Sequence, residues 1–107
     1  MPITVIAEFP KTEGRDPRQV YDDVCRELND GKPMTQPSDW GQGLLTHSYS
    51  VGESGEAVAV DVWEDQRGME AFMARLGPIM EREEIEGDIR IMETYSVVAE
   101  GVPVAYA

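Results

Sequence analysis

Cysteine and histidine occur once each in this chain, as Cys25 and His47. One cysteine cannot close an internal disulfide. With a single histidine to join it, no Cys/His set at metal-ligand spacing exists, and no metal is expected. Basic residues are scarce: 9 Lys and Arg against 21 Asp and Glu give a formal net charge of −12 at pH 7. Such a chain repels phosphate backbones and anionic membranes, so neither nucleic acid nor membrane is expected as a partner. Long apolar runs are missing as well. The opening MPITVIAEFP has no basic segment and too short an apolar stretch for a secretory signal. Nothing approaches the roughly 20 apolar residues of a membrane-spanning helix. Glycine-rich phosphate loops, a G-x-S-x-G elbow and a nucleotide fingerprint are also absent, and no cofactor is expected. These absences point to a cytoplasmic, reducing setting.

What is present suits one domain: 107 residues with 41% hydrophobic content, enough for a modest core that pairing with a second copy would extend. Ile3, Val5, Ala7 and Phe9 alternate with Thr4, Ile6 and Glu8, the pattern of a strand. Asp16-Pro17 then opens a helix, with Asp16 as cap, Pro17 in the first turn and Gln19 placed for a capping box. From Pro17 to about Asn29, Val20, Val24 and Leu28 fall on one stripe beside Tyr21 and Cys25. Gly31 stops the helix. The segment GKPMTQPSDWGQG, residues 31–43, has no period and reads as a long loop. Its Trp40 either staples that loop to the core or closes a pocket.

Two strands, Leu44 to Val51 and about Ala57 to Trp63, flank Glu53-Ser54-Gly55. A three-residue turn with Gly55 left-handed joins them as a hairpin. That turn length sets His47 opposite Asp61, Tyr49 opposite Ala59 and Leu45 opposite Trp63. A loop one residue longer or shorter would carry His47 to the other face. Asp65 caps a second helix with Met69, Phe72, Met73 and Leu76 on its apolar stripe. Gly77-Pro78 is expected to break or kink it. Glu81, Glu83, Glu84 and Glu86 form a solvated charge run rather than a spaced acid pair. Asp88 to Tyr95 alternates as a last strand, and residues 96–107 form an apolar tail. Val97, Val98, Val102 and Val104 are expected to dock on the same or a second subunit.

The order β-α-β-β-α-β is the ferredoxin-like pattern, an α+β domain over residues 1–95 with helices on one face of an antiparallel sheet. The flush valines Val58, Val60 and Val62 suit helix packing. The face of His47, Tyr49, Ala57 and Ala59 is expected to hold a pocket, with a second subunit as its cover. A packed interior, or a His47 turned toward the helices, would sink the His47–Asp61 pair and put the non-catalytic binding reading ahead.

With GLLTH at Gly43–His47, VDVWED at Val60–Asp65 and MEAFMARLGP at Met69–Pro78, the chain resembles the dimeric α/β-barrel superfamily over about Pro2 to Tyr95. These segments look like the strand, strand-to-helix turn and second helix of small bacterial proteins similar to antibiotic-biosynthesis monooxygenases. The superfamily also includes haem-degrading monooxygenases, lactone isomerases and aromatic cyclases. The resemblance implies a homodimer whose two sheets form a barrel, with a pocket between each sheet and its helices or loops. Monooxygenase-type members commonly carry a histidine in the second helix, where Phe72 stands here. Haem-degrading members bind iron through a helical histidine, whereas His47 lies on a strand.

His47 is the leading candidate for chemistry, because imidazole accepts or donates a proton near neutral pH; the competing reading is a histidine hydrogen-bonded for stability at a barrel or dimer seam. Asp61 across the hairpin would orient it, so His47 and Asp61 are taken as the catalytic pair. Tyr49, Trp63 and Trp40 are taken as substrate-binding residues. For Trp63, Tyr21 and Tyr95, packing is the favoured role and contact with a substrate the alternative. Proton transfer by His47 suits a cofactor-independent enzyme acting on a planar aromatic or polyketide-like molecule by oxygenation, cyclisation or isomerisation. The alternative is a non-catalytic dimer that binds a small molecule or serves as an interaction protein.

Overall fold

The computed structural model describes residues 1–99 and 102–106. Its elements run β1 (Ile3–Phe9), α1 (Pro17–Leu28), α2 (Pro37–Trp40), β2 (Leu44–Val51), β3 (Ala57–Trp63), α3 (Gln66–Arg82), β4 (Asp88–Glu93), β5 (Ser96–Ala99) and β6 (Val102–Tyr106). Strands β2-β3-β1-β4 form an antiparallel sheet in that order. The fold is α+β and ferredoxin-like, as the element order suggests. Strands β5 and β6 pair as a separate antiparallel ribbon within the expected tail. There Val97 is buried and Val98 is exposed. The expected docking of Val102 and Val104 falls on side chains outside the described ones.

Local chemistry sets the element ends. The Asp16 carboxylate accepts from the Arg18 amide, and Pro17 occupies the first turn of α1. Gln19 donates to Asp23 one turn on rather than completing a capping box. Asp65 caps α3 by accepting from the Gly68 amide. The hairpin turn is the one expected. Gly55 sits at φ 88°, its amide bonds the Gly52 carbonyl, and the Gly52 amide bonds Glu56.

Several expectations are corrected. Residues 31–43 contain the short α2, where the Asp39 carboxylate accepts from the Thr35 and Gln36 amides. Gly77-Pro78 does not end α3, which continues to Arg82. The turn beyond Pro78 buries Ile79 and brings Met80 to the wall of an internal cavity. That burial offsets the hydrogen bond that proline cannot donate. The hairpin register holds at His47–Asp61 and Tyr49–Ala59. Near its far end it shifts, so that Leu44 rather than Leu45 is the partner of Trp63. A bulge there inserts one unpaired residue.

The most consequential correction concerns the faces of the sheet. The core gathers Ile3, Val5, Leu44, Trp63, Met69 and Phe72 with Trp40, so the helices cover the face of His47, Asp61 and Trp63. The alternating face of Val58, Val60 and Val62, with Ile6 and Met92, carries no helix. Trp63, Leu44 and Ile3 supply larger apolar bodies for helix packing than the valine row. Alternation dictates two faces but not which one the helices choose.

Candidate active site

A row across the sheet builds the polar centre: His47 on β2, Asp61 on β3, Val5 on β1 and Ile91 on β4. The next row is Tyr49, Ala59, Ala7 and Ile89. Ala57, Ala59 and Ala7 hold small side chains beneath the helices, and the space they leave is a cavity of about 160 Å³. That is well above the ~10–15 Å³ one water needs, and enough for a small organic molecule. Val20, Val24 and Leu28 of α1 and Phe72, Met73 and Leu76 of α3 roof it. Tyr21, His47, Tyr49 and Asp61 bring polar atoms to its wall, and Thr12, Arg15, Glu84 and Glu86 also line it.

The Asp61 carboxylate contacts His47 Nδ1. A carboxylate accepts and does not donate, so Nδ1 carries a proton, and in the neutral imidazole Nε2 then presents its lone pair. Tyr21 on α1 reaches that nitrogen, its hydroxyl donating to Nε2 at 2.6 Å. The three residues form one line from helix to sheet. Asp61 is only 9% exposed, so its charge depends on this pairing. Trp40 lies over the imidazole with ring centroids 4.4 Å apart. Tyr49 stacks on Tyr21 at 4.2 Å, and its hydroxyl donates to the Pro17 carbonyl at 3.1 Å. Burial raises the Tyr21 phenol pKa well above its ordinary value, and the neighbouring Cys25 and the Asp61 charge add to this. Burial also raises the Tyr49 phenol and, on the α1 stripe, the Cys25 thiol. All three groups therefore hold their protons at neutral pH.

Of the residues expected to form a site, the structure brings together His47, Asp61, Tyr49 and Trp40. Trp63 is not among them. It is 1% exposed and packs on Phe72 at 5.6 Å, inside the core and off the cavity wall. Its ring fills the space beside Gly68, where core packing and not ligand contact uses its area. His47 does face the helices, yet it is not packed away, because the cavity lies on that same side. Tyr21 is the member that sequence reasoning left to packing. The available signal was a hydroxyl on the otherwise apolar stripe of α1, which meets the sheet. Among the described residues, no three His, Cys, Asp or Glu side chains gather as a metal site, and no helix is long and apolar enough to cross a membrane.

No family model matches the chain, and no curated protein matches it. Solved structures do. Rv0793 of Mycobacterium tuberculosis superposes with a TM-score of 0.62 at 14% identity, over 95% of this chain and 100% of that one. PA3566 of Pseudomonas aeruginosa gives 0.62 at 17%, over 87% and 93%. A candidate antibiotic biosynthesis monooxygenase of Chloroflexus aurantiacus gives 0.61 at 12%, over 96% and 100%. At such identities the likeness concerns the fold and not the chemistry. This chain thus shares its ferredoxin-like fold with these three proteins.

Proposed function

We propose that this protein is a small cofactor-independent enzyme that moves a proton on a planar aromatic or polyketide-like molecule. The observation that carries the reading is the His47–Asp61 pair on the wall of a cavity that α1 and α3 line largely with apolar side chains. Asp61 holds the imidazole in one tautomer and stabilises the imidazolium formed when Nε2 gains a proton. Trp40, Tyr21, Tyr49 and Phe72 offer flat surfaces on which a planar ring can lie. Removing a proton opens oxygenation, cyclisation and isomerisation alike, so the reaction class is proton abstraction from an activated O–H or C–H. Monooxygenase chemistry is the finer form suggested by the fold shared with the Chloroflexus protein.

The same reading includes a homodimer. The uncovered face with Ile6, Val60, Val62 and Met92 is apolar enough to meet a second copy, as the sheets of a barrel would. A reducing cytoplasm, where Cys25 stays a thiol, is the setting this reading takes.

The test begins with planar phenols and 1,3-diketones screened for a raised melting temperature. Binding at a hundred times Kd adds about 2.7 kcal/mol. His47→Ala should then abolish turnover of a hit while leaving its binding. Unchanged turnover in that variant sinks the assignment. A second reading, a non-catalytic binding protein, draws on the fact that both His47 ring nitrogens already have protein partners. Tight binding with no turnover by the unaltered protein would favour it.

A further inference from the structure

The imidazole that the proposed function relies on has no nitrogen open to the cavity: Nδ1 meets Asp61 and Nε2 meets the Tyr21 hydroxyl. A substrate proton therefore reaches Nε2 in one of two ways. Either Tyr21 swings aside, or Tyr21 passes the proton on. The packing opposes the swing. Tyr21 lies within α1, and its ring stacks on Tyr49 at 4.2 Å with 25° between the planes. Tyr49 is itself tied to the Pro17 carbonyl at the start of the same helix. Trp40 occupies a face of the imidazole.

We propose that Tyr21 is a catalytic residue, the group that meets the substrate's acidic hydrogen, and that His47 acts on the substrate through it. The inference rests on the proton-transfer reading of the His47–Asp61 pair and adds the residue that touches the reacting atom. In the step, the substrate's O–H or C–H bond breaks and its electron pair stays on the substrate. That proton forms a new O–H bond at Tyr21, while Tyr21's original proton passes to His47 Nε2. The products are a substrate enolate or phenolate, a neutral Tyr21, and an imidazolium beside the Asp61 carboxylate. No oxidant or co-reactant is needed, and the return of the proton to another substrate atom completes an isomerisation. The two transfers are concerted, because burial makes a free Tyr21 phenolate costly.

The same geometry narrows the substrate to a neutral acid. A phenol that arrives already ionised has no O–H proton left to give and would meet the Asp61 carboxylate in a chain of net charge −12, although Arg15 lines another part of the cavity. An aryl-fused ketone or a phenol fits, since it enters uncharged and becomes an anion only where Tyr21 can donate a hydrogen bond to it.

β-Tetralone, a neutral aryl-fused ketone whose activated C–H exchanges with deuterated water, serves as the probe. Exchange is followed by NMR and binding by fluorescence titration, on the full chain. The unaltered protein should accelerate exchange above the buffer rate, and His47→Ala should remove the acceleration. Tyr21→Phe, which keeps the stacked ring, should lower the exchange rate at saturation by roughly 10²-fold or more. Its dissociation constant should rise by no more than about tenfold, the scale of one lost hydrogen bond. A difluorinated tyrosine at position 21, with nearly the native shape and a more acidic phenol, should change the exchange rate without changing the fold. Exchange that persists in Tyr21→Phe, or does not respond to the fluorinated ring, overturns the role of Tyr21 while leaving that of His47. Exchange at the buffer rate in the unaltered protein, or undiminished in His47→Ala, overturns the underlying proton-transfer reading together with this one.

Discussion

Asp61 shows how much one buried residue constrains. Its carboxylate is 9% exposed and meets the one imidazole of the chain. An asparagine there keeps the shape but can offer its amide N–H to Nδ1, which favours the wrong tautomer. Asp61→Asn is expected to keep its fold by circular dichroism and to lose proton-transfer activity by roughly 10²-fold or more, read as kcat on any confirmed substrate. The three raised groups give a second expectation. Each holds its proton in the folded chain at a pH where the unfolded chain has released it, so the unfolded state binds fewer protons and stability falls as pH rises. The loss should begin above the ordinary thiol value of 9.0 for Cys25 and steepen above the ordinary phenol value of 10.0 for Tyr21 and Tyr49. Melting temperatures recorded from pH 7 to 11 check this. The alkaline fall should be shallower in Tyr21→Phe, where one raised phenol is gone.

At the scale of elements, α2 depends on a tie from α3. Arg75 donates to the Trp40 carbonyl at 3.0 Å and to the Leu28 carbonyl at 2.9 Å, joining the ends of α2 and α1. A four-residue helix has little stability of its own, so this guanidinium and the burial of Trp40 hold it. Arg75→Ala should cost about 1–3 kcal/mol in urea unfolding. It should also weaken ligand binding more than it slows the chemical step, because Trp40 loses its fixed place over His47. The start of α3 is equally tight. A Cβ at Gly68 would stand 2.5 Å from the Gln42 carbonyl and 3.1 Å from the Trp63 ring. Gly68→Ala should therefore destabilise by about 1–3 kcal/mol in spite of alanine's better helix propensity, which urea unfolding would show.

At the scale of the whole molecule, the valine face of the four-stranded sheet carries no helix among the described residues. Val60 lies on β3 between two other strands, at the centre of the uncovered face. If that face meets a second copy, a carboxylate at this position would be buried without a partner in the interface. Val60→Glu is expected to convert a dimer to a folded monomer in light scattering coupled to gel filtration. The unaltered protein running as a monomer at all concentrations would refute the proposed homodimer.

Much of this arrangement was legible in the chain, because it depends on neighbours in sequence. Asp16-Pro17 and Asp65 mark the starts of α1 and α3 through their own hydrogen bonds. The length of the turn around Gly55 sets His47 opposite Asp61, since side chains along a strand alternate strictly. What the chain does not settle locally is which sheet face the helices cover. That followed from packing the bulk of Trp63, Leu44 and Ile3 against α3, which left the valine row open. The same packing carried Trp63 into the core, kept α3 helical through Pro78 and laid α1 over the sheet. Only there does Tyr21, 26 residues from His47 in sequence, come to donate its hydrogen bond. Local chemistry determined the strands, caps and hairpin register, whereas the site's third member and the side on which its cavity lies were decided by long-range burial, which no short stretch of sequence contains.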